Sequence, residues 1–484
     1  FLFTESMAEL IFIPSPGRGH LLANLEMAKL LVSRDRRLSA TVLVIRPFYD
    51  PASAAHSYAA LACDGSDSRI RFVDISDPTA LALSDSEGST SPFHLHVHYI
   101  ANHKDRVREE VSRRIQDFKD SDRRLAGFVV DMFCTPMIDV AGEFGVPSYV
   151  FFTCAASTLG VIFHFQKLRD SEHRDITKYA DQMVSVPSFR FPVAGKLMPT
   201  GMLDIDGGGA RLIDLAKRFR GTKGILINTF YELESYAIDS LLAGEKIPPV
   251  YPVGPVLSPG EDKNRNDTMR WLDTQPDKSV VYLCFGSKGT FKEDQLRLIA
   301  IALERSGHRF LWSLRKPLQN QQMYLTPGEY KNPEEVLPQG FLERTKFVGK
   351  VIGWAPQVAV LSHCAVGGFV SHCGWNSTLE SLSCGVPLAT WPLYAEQQLN
   401  AFLLVKKLRV AVEIRMDYKQ GNNVIVGADE IENGIRRLME SGSEIRANVE
   451  ALKAKGGASG RERGSAFEYL RQFIDDVVKN SLSN

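Results

Sequence analysis

Residues 10–45 read LIFIPSPGRGHLLANLEMAKLLVSRDRRLSATVLVI. A short apolar run, "LIFI", meets a glycine-proline turn that ends in His20; Leu21, Leu25, Ala28 and Val32 then recur at helical spacing before a second β-rich run, "ATVLVI" at 40–45. That order predicts a strand, a crossover helix and a parallel strand. The turn is not a nucleotide fingerprint. Gly17-Arg18-Gly19-His20-Leu21-Leu22 lacks the third glycine of a dinucleotide loop, the second run ends in Arg46 instead of an acidic residue, and no Gly-Lys-Ser/Thr follows. A nicotinamide dehydrogenase and a phosphate-loop NTPase are both disfavoured.

The alternation continues outward. "IRFVDI" (70–75), a polar-faced helix within 95–119, "GFVVD" (127–131), a helix near 136–144 and "SYVFF" (148–152) supply most of one doubly wound domain. Regularity weakens over 169–223, where Gly207-Gly208-Gly209 reads as a lid segment because no strand precedes it, and "GILINTF" (224–230) restores a strand. "PPVYPVGPVLSPGEDKNRND" (248–267) has linker composition, and the pattern then restarts with "SVVYLCF" (279–285), "RFLWSL" (309–314), "KVIGW" (350–354), "VGGFVSH" (366–372), "PLATW" (387–391) and "VAVEI" (410–414). The proline-rich stretch 316–340 reads as an exposed excursion. The fold class is therefore α/β, with two Rossmann-like domains. The first spans 7–250, the linker 251–267 and the second domain 268–460.

Composition narrows the function classes. The 484 residues carry 57 basic and 57 acidic side chains, so no charge excess favours nucleic acid or an anionic membrane. The seven cysteines are scattered without a C-x-x-C pair, which argues against a disulfide framework or zinc knuckle and for a reduced, cytoplasmic setting. No apolar run reaches membrane-spanning length, and Phe1 to Ser6 are read as preceding the native start at Met7.

In open parallel sheets ligands gather beyond the carboxyl ends of strands. The residues there are the Pro14–His20 turn, Asp131, Thr153, Ser287, Trp354, His372 to Ser377, and Glu396 with Gln397. If Trp375-Asn376-Ser377 opens a helix, its free N–H groups form a diphosphate site; the plainer reading is that Asn376 and Ser377 cap that helix. Asn376 and Glu380 share one face of it. Trp354 could stack on a base, although a lone tryptophan is more often core. His94, His96 and His98 alternate without carboxylates or cysteines beside them, an incomplete metal ligand set, so no metal site is expected.

Taken together, residues 354–397, "WAPQVAVLSHCAVGGFVSHCGWNSTLESLSCGVPLATWPLYAEQ", resemble the 44-residue signature of plant UDP-sugar-dependent glycosyltransferases of secondary metabolism. "PSPGRGHLLANLEMAKLL" and "GILINTFYELE" resemble the same family, so the likeness spans almost the whole chain. It departs at Ala23, where proline is frequent, and Arg18 fills a variable slot.

The resemblance implies a GT-B fold, with an acceptor-binding first domain facing a UDP-sugar-binding second domain, and 461–484 as a C-terminal helix packing back toward the first. It implies that Trp354 stacks on uracil, the Ala355 backbone reads its edge, and Gln357 and Glu380 meet the ribose. His372, the Trp375 backbone, Asn376, Ser377 and Ser287 would hold the diphosphate, while Glu396, Gln397 and Thr153 would meet the sugar. Gln397 in place of histidine is the family's usual mark of glucose over galactose.

His20 stands where the family keeps its base and Asp131 where it keeps the partner carboxylate. A helix N-terminus should disfavour the imidazolium at rest, and the carboxylate should steady it once the proton arrives. The implied reaction is inverting, metal-independent transfer from UDP-glucose, without a cofactor, by a monomer with no stable membrane insertion. The alternatives are another UDP-sugar, a terpenoid or hormone acceptor, or a non-catalytic sugar-nucleotide-binding protein; His20 and Asp131 together argue against the last. Acceptor contacts are expected from Gly19, Arg18, Phe93 and Phe189, within a pocket drawn from 85–100, 154–165 and 185–205 that also carries Phe163, Phe165 and Phe191.

Overall fold

The computed structural model describes residues 7–48, 67–77, 92–119, 121–203, 209–258, 267–317 and 327–482. Phe1 to Ser6, Cys63, residues 85–91 of the expected acceptor region, Gly207 and Gly208, 259–266 of the expected linker and 318–326 of the proline-rich excursion lie outside them.

β1 (Met7–Ile13), β2 (Leu38–Val44), β3 (Ile70–Asp74), β4 (Arg123–Asp131) and β5 (Ser148–Phe152) belong to one sheet. β6 (Met183–Val184) and β7 (Val193–Ala194) form a small antiparallel pair apart from it, and β8 (Ile225–Ile227) and β9 (Val250–Pro252) rejoin it. The order is β3-β2-β1-β4-β5-β8-β9, and every pairing is parallel. β10 (Val280–Cys284), β11 (Arg309–Ser313), β12 (Gly349–Ile352), β13 (Val366–Ser371), β14 (Leu388–Thr390) and β15 (Ala411–Glu413) make the second sheet. Its order is β12-β11-β10-β13-β14-β15, again parallel throughout. Both are doubly wound α/β sheets whose strand order reverses beside the first strand, at β1/β4 and at β10/β13. Strands covered on both faces are buried along their length; all seven residues of β2 are buried, with the Ser39 and Thr41 hydroxyls donating to Glu9.

The expected single helix within 95–119 is two, Pro92–Ala101 and Lys104–Phe118. Tertiary partners make the break: His103 is fully buried, with Nδ1 2.8 Å from the Tyr99 carbonyl and Nε2 accepting from the Asp77 N–H. Four aromatics from the expected acceptor segments have different surroundings. Phe163 and Phe165 belong to the buried face of the Ala156–Asp170 helix, Phe189 is buried edge-on to Phe402, and Phe191 lies exposed beneath the Lys407 ammonium.

The C-terminal helix Ser465–Leu482 lies against the first sheet. Leu470, Phe473, Ile474 and Val477 join the core formed by β1 and β2. Phe473 meets Tyr149 and Tyr251 edge-on at 5.0 and 5.3 Å, and the Tyr251 hydroxyl donates to Asp476 at 2.6 Å. The six described cysteines are free, and no described helix is long and apolar enough to cross a membrane. Phe473→Ala is expected to destabilise the chain by about 3–5 kcal/mol, the usual cost of emptying a buried aromatic site. Calorimetry showing an unshifted first transition would rule out a stabilising role for this helix.

Candidate functional site

Both switch points carry the expected residues. His20 follows β1 in the first turn of the Arg18–Arg34 helix, and Asp131 ends β4, its immediate neighbour in the sheet. Gly17, with φ 144°, makes the turn between strand and helix that an L side chain resists. His20 Nδ1 lies 2.9 Å from Asp131 Oδ2, with the imidazole about one-third exposed and the carboxylate fully buried. A carboxylate only accepts, so Nδ1–H donates and Nε2 keeps the free lone pair of the neutral ring. Asp131 also accepts from Asn24 Nδ2 at 3.2 Å and from the Phe133 N–H at 3.2 Å, while the same Asn24 nitrogen reaches the His20 carbonyl at 2.9 Å. Asn24 thus clamps both partners. Thr153 Oγ1 sits 3.4 Å from His20 Nδ1, on the base side of the site.

The electrostatics of His20 set burial against its carboxylate neighbours. Burial pulls the His20 pKa down, but the Asp131 charge and hydrogen bond, with Glu396 adding, more than offset burial and the opposing Lys288. The net shift is upward from the ordinary histidine value, so the Asp131 interaction, with Glu396 adding, outweighs burial and Lys288.

The second switch point lies between β10 and β13. Ser287 is exposed just beyond β10, and His372 follows β13. A Cβ on Gly286 or on Gly374 would lie 2.5 Å from His372 Nε2, so the imidazole is clasped between two glycines. Burial pushes its pKa down to about 4, leaving a neutral ring. Cys373 (φ 64°) then turns the chain into the Trp375–Cys384 helix, whose cap residue is Gly374 and whose N-terminus no side chain caps. The plain capping reading of Asn376 and Ser377 is therefore replaced. Asn376 Oδ1 is buried without a partner, and Ser377 Oγ instead accepts from Gln357 Nε2 at 2.8 Å. Gln357 also donates to Glu380 at 2.6 Å, and burial raises the Glu380 pKa. Ala355 is buried beside them, while Trp354 keeps 53% of its surface exposed, unusual for an indole.

The two turns face each other. A Cβ on Gly19 would stand 3.7 Å from Asn376 Nδ2, and the Trp375 indole N–H donates to the Asn228 carbonyl at 2.7 Å. Glu396 follows Ala395, whose φ is 56°, and its pKa is raised by burial against the pull of His20. Gln397 is buried, with its amide oxygen accepting from the Leu393 and Tyr394 N–H groups at 2.9 and 3.0 Å. That oxygen is committed to the backbone, so the amide nitrogen is what remains for an outside hydroxyl.

On the acceptor side, Phe93 meets Phe133 edge-on at 5.6 Å, and Phe133 lies 5.4 Å from the His20 ring. Arg18 and Gly19 are exposed at the same turn. Phe189 meets the Phe402 ring at 5.8 Å. Sequence reasoning missed Asn24, Phe133, Asn228 and Lys288. Asn24 lies four residues beyond His20 and Phe133 two beyond Asp131, so helical and loop spacing could have flagged those two; the others depend on the approach of the two domains. Among the described residues, no group of three or more His, Cys, Asp or Glu is placed to hold a metal ion.

A family model for UDP-glucoronosyl and UDP-glucosyl transferase matches residues 249–439. UDP-glycosyltransferase 71E1 of Stevia rebaudiana is 51% identical over 485 residues, covering 98% of this chain and 99% of that protein. A putative UDP-glucose flavonoid 3-O-glucosyltransferase 3 of Fragaria ananassa is 49% identical over 488 residues, covering 98% and 100%. The crystal structure of a ugt transferase from Siraitia grosvenorii in complex with UDP superposes with a TM-score of 0.84 at 46% identity, over 97% of this chain and 99% of that one.

The His20 imidazole is expected to titrate above 6.5, and Asp131→Asn to lower that value. An NMR titration placing wild-type His20 at or under 6.5 contradicts the dominance of the carboxylate.

Proposed function

The chain belongs to the plant UDP-sugar-dependent glycosyltransferases of family 1, and from that premise we propose that it glucosylates a hydroxyl of a small phenolic or flavonoid acceptor, giving a β-glucoside. UDP-glucose is the co-substrate. One observation carries the reading of the site: an uncapped helix N-terminus at Trp375 faces the turn that holds His20 on Asp131.

In the proposed reaction His20 Nε2 takes the proton of the acceptor hydroxyl as its oxygen attacks the anomeric carbon. The bond from that carbon to the diphosphate breaks, UDP leaves with the electron pair, and the configuration inverts. The first helical N–H groups at Trp375, Asn376 and Ser377, with Ser287, take up the charge developing on the diphosphate, as helix N-termini do for anions. His372 is neutral, so its contribution there is a hydrogen bond. Trp354 takes the uracil against its exposed face beside the Ala355 backbone, and the Gln357–Glu380 pair takes the ribose. Glu396 and the Gln397 nitrogen meet glucose hydroxyls, with Thr153 on the base side. Asp131 fixes the reactive tautomer of His20 and stabilises the imidazolium that forms. The first domain, 7–250, supplies the acceptor side through Phe93 with Gly19 and Arg18 beside the base, and the second, 268–460, supplies the donor side.

Incubation with UDP-glucose and a panel of phenols is expected to give products heavier by one hexose, at the same rate with a chelator present. Failure to bind UDP-glucose overturns the donor assignment, and chelator-sensitive turnover overturns the metal-independent mechanism. His20→Ala is expected to lower kcat by about 10²–10⁴-fold, the range for a lost general base, while UDP affinity is retained. Loss of UDP binding in that variant would assign the glycine turn to the nucleotide.

A further inference from the structure

The helix Pro92–Ala101 brings a second histidine into the same group of side chains. His96 Nε2 lies 2.7 Å from the hydroxyl of Ser15, a residue 1% exposed in the turn that ends in His20. The His96 ring stands edge-on to Phe133 at 5.8 Å, so one phenyl ring is touched by His20, Phe93 and His96 together. His96 is only half-buried, and its Nδ1 has no partner among the described residues.

Charge distinguishes the two histidines. Burial pushes the His96 pKa down to about 3, with His20 and Lys288 opposing its protonation further. His96 therefore stays neutral at ordinary pH. A neutral imidazole with one nitrogen engaged by Ser15 offers a single donor or acceptor at the other, the complement of an uncharged hydroxyl or carbonyl. His20 Nε2 and His96 Nδ1 thus provide two polar points around one aromatic wall.

Resting on the reading of the chain as a phenol glucosyltransferase, we infer that His96 is a specificity-determining residue that selects flat aromatic acceptors carrying a second, uncharged hydroxyl or carbonyl. One hydroxyl is presented to His20 for transfer and the other is read by His96. An acceptor lacking the second group leaves a buried polar position unmatched, which is where hydrogen-bonding sites discriminate most.

The test compares 2-naphthol with a set of dihydroxynaphthalene isomers, using the wild-type chain, His96→Phe and His96→Gln. His96→Phe is expected to lower the kcat/KM of at least one diol relative to naphthol by about tenfold, the worth of one hydrogen bond to a neutral group. His96→Gln, which keeps a donor and an acceptor, is expected to restore part of that ratio. The preferred isomer is expected to change with the side chain. UDP titration of each variant reports whether its nucleotide site is intact, and Ser15→Ala, which frees His96 Nε2, supplies a variant with an undisturbed helix. An unchanged diol-to-naphthol ratio in both His96→Phe and Ser15→Ala overturns the inference and leaves His96 as a wall of the turn. Absence of turnover of every naphthol by the wild-type chain overturns the phenolic reading itself, and this inference with it.

Discussion

The Trp375 indole N–H donates to the Asn228 carbonyl at 2.7 Å, and that bond crosses from the second sheet's domain to the first where their crevices meet. The carbonyl it uses is not free to move. Asn228 is itself fixed by two bonds to the Val256 backbone, and a Cβ at Gly254 would collide with its side chain at 2.7 Å. Trp375 is 2% exposed, so breaking the bond would leave a buried donor unpaired, at about 1–3 kcal/mol. The bond therefore holds the uncapped helix end against the His20 turn. The Thr200 N–H on the Ala395 carbonyl at 2.8 Å and the Lys196–Asp417 pair at 2.8 Å add further ties between the domains, the first directly beside Glu396.

Around this junction, similar groups are driven to opposite states by their surroundings. His20 and His96 touch the same phenyl ring and both suffer burial, yet the pKa of the first is raised and that of the second is lowered. The difference is direct hydrogen bonding to Asp131, with Glu396 adding at His20 alone. Asp131 hydrogen-bonds His20, whereas a hydroxyl faces His96, and a hydroxyl brings no charge to offset lost hydration. Two of the left-handed non-glycine residues lie on the donor side. Cys373 and Ala395 both take left-handed φ values immediately before the residues that open a helix, and Gly286 and Gly374 clasp His372 where no Cβ would fit. Conformations costing of order 1–3 kcal/mol persist only where the packing around them leaves no alternative.

Much of this architecture was legible in the chain itself. Parallel strands covered on both faces must be largely apolar along their length, and each must be followed by a crossover, so runs such as "ATVLVI" and "SVVYLCF" announced the two doubly wound sheets. The same topology points to the residues beyond each strand, and these include His20, Asp131, Ser287 and His372. The expected helix over 95–119 failed at His103, because a buried ring with two backbone partners outweighs local helical preference. Phe163, Phe165 and Phe189 are buried, a distinction the sequence leaves open because a phenyl lining a cleft and a phenyl filling a core look alike in it.

By itself, then, the sequence determined the class of fold, the two turns that matter and the chemical types available at each, since these follow from periodicity and short-range spacing. Only the tertiary structure decided which groups meet: Asn24 on Asp131, Gln397 committed to the backbone, the helix left uncapped at Trp375 and His96 brought to Ser15 across 81 positions. It also decided the direction of the His20 pKa shift, which Asp131 and Glu396 raise against burial. Those outcomes depend on which buried group lies within hydrogen-bonding reach of which other. That is set by how the two sheets and their helices pack, and no periodicity in the chain encodes it.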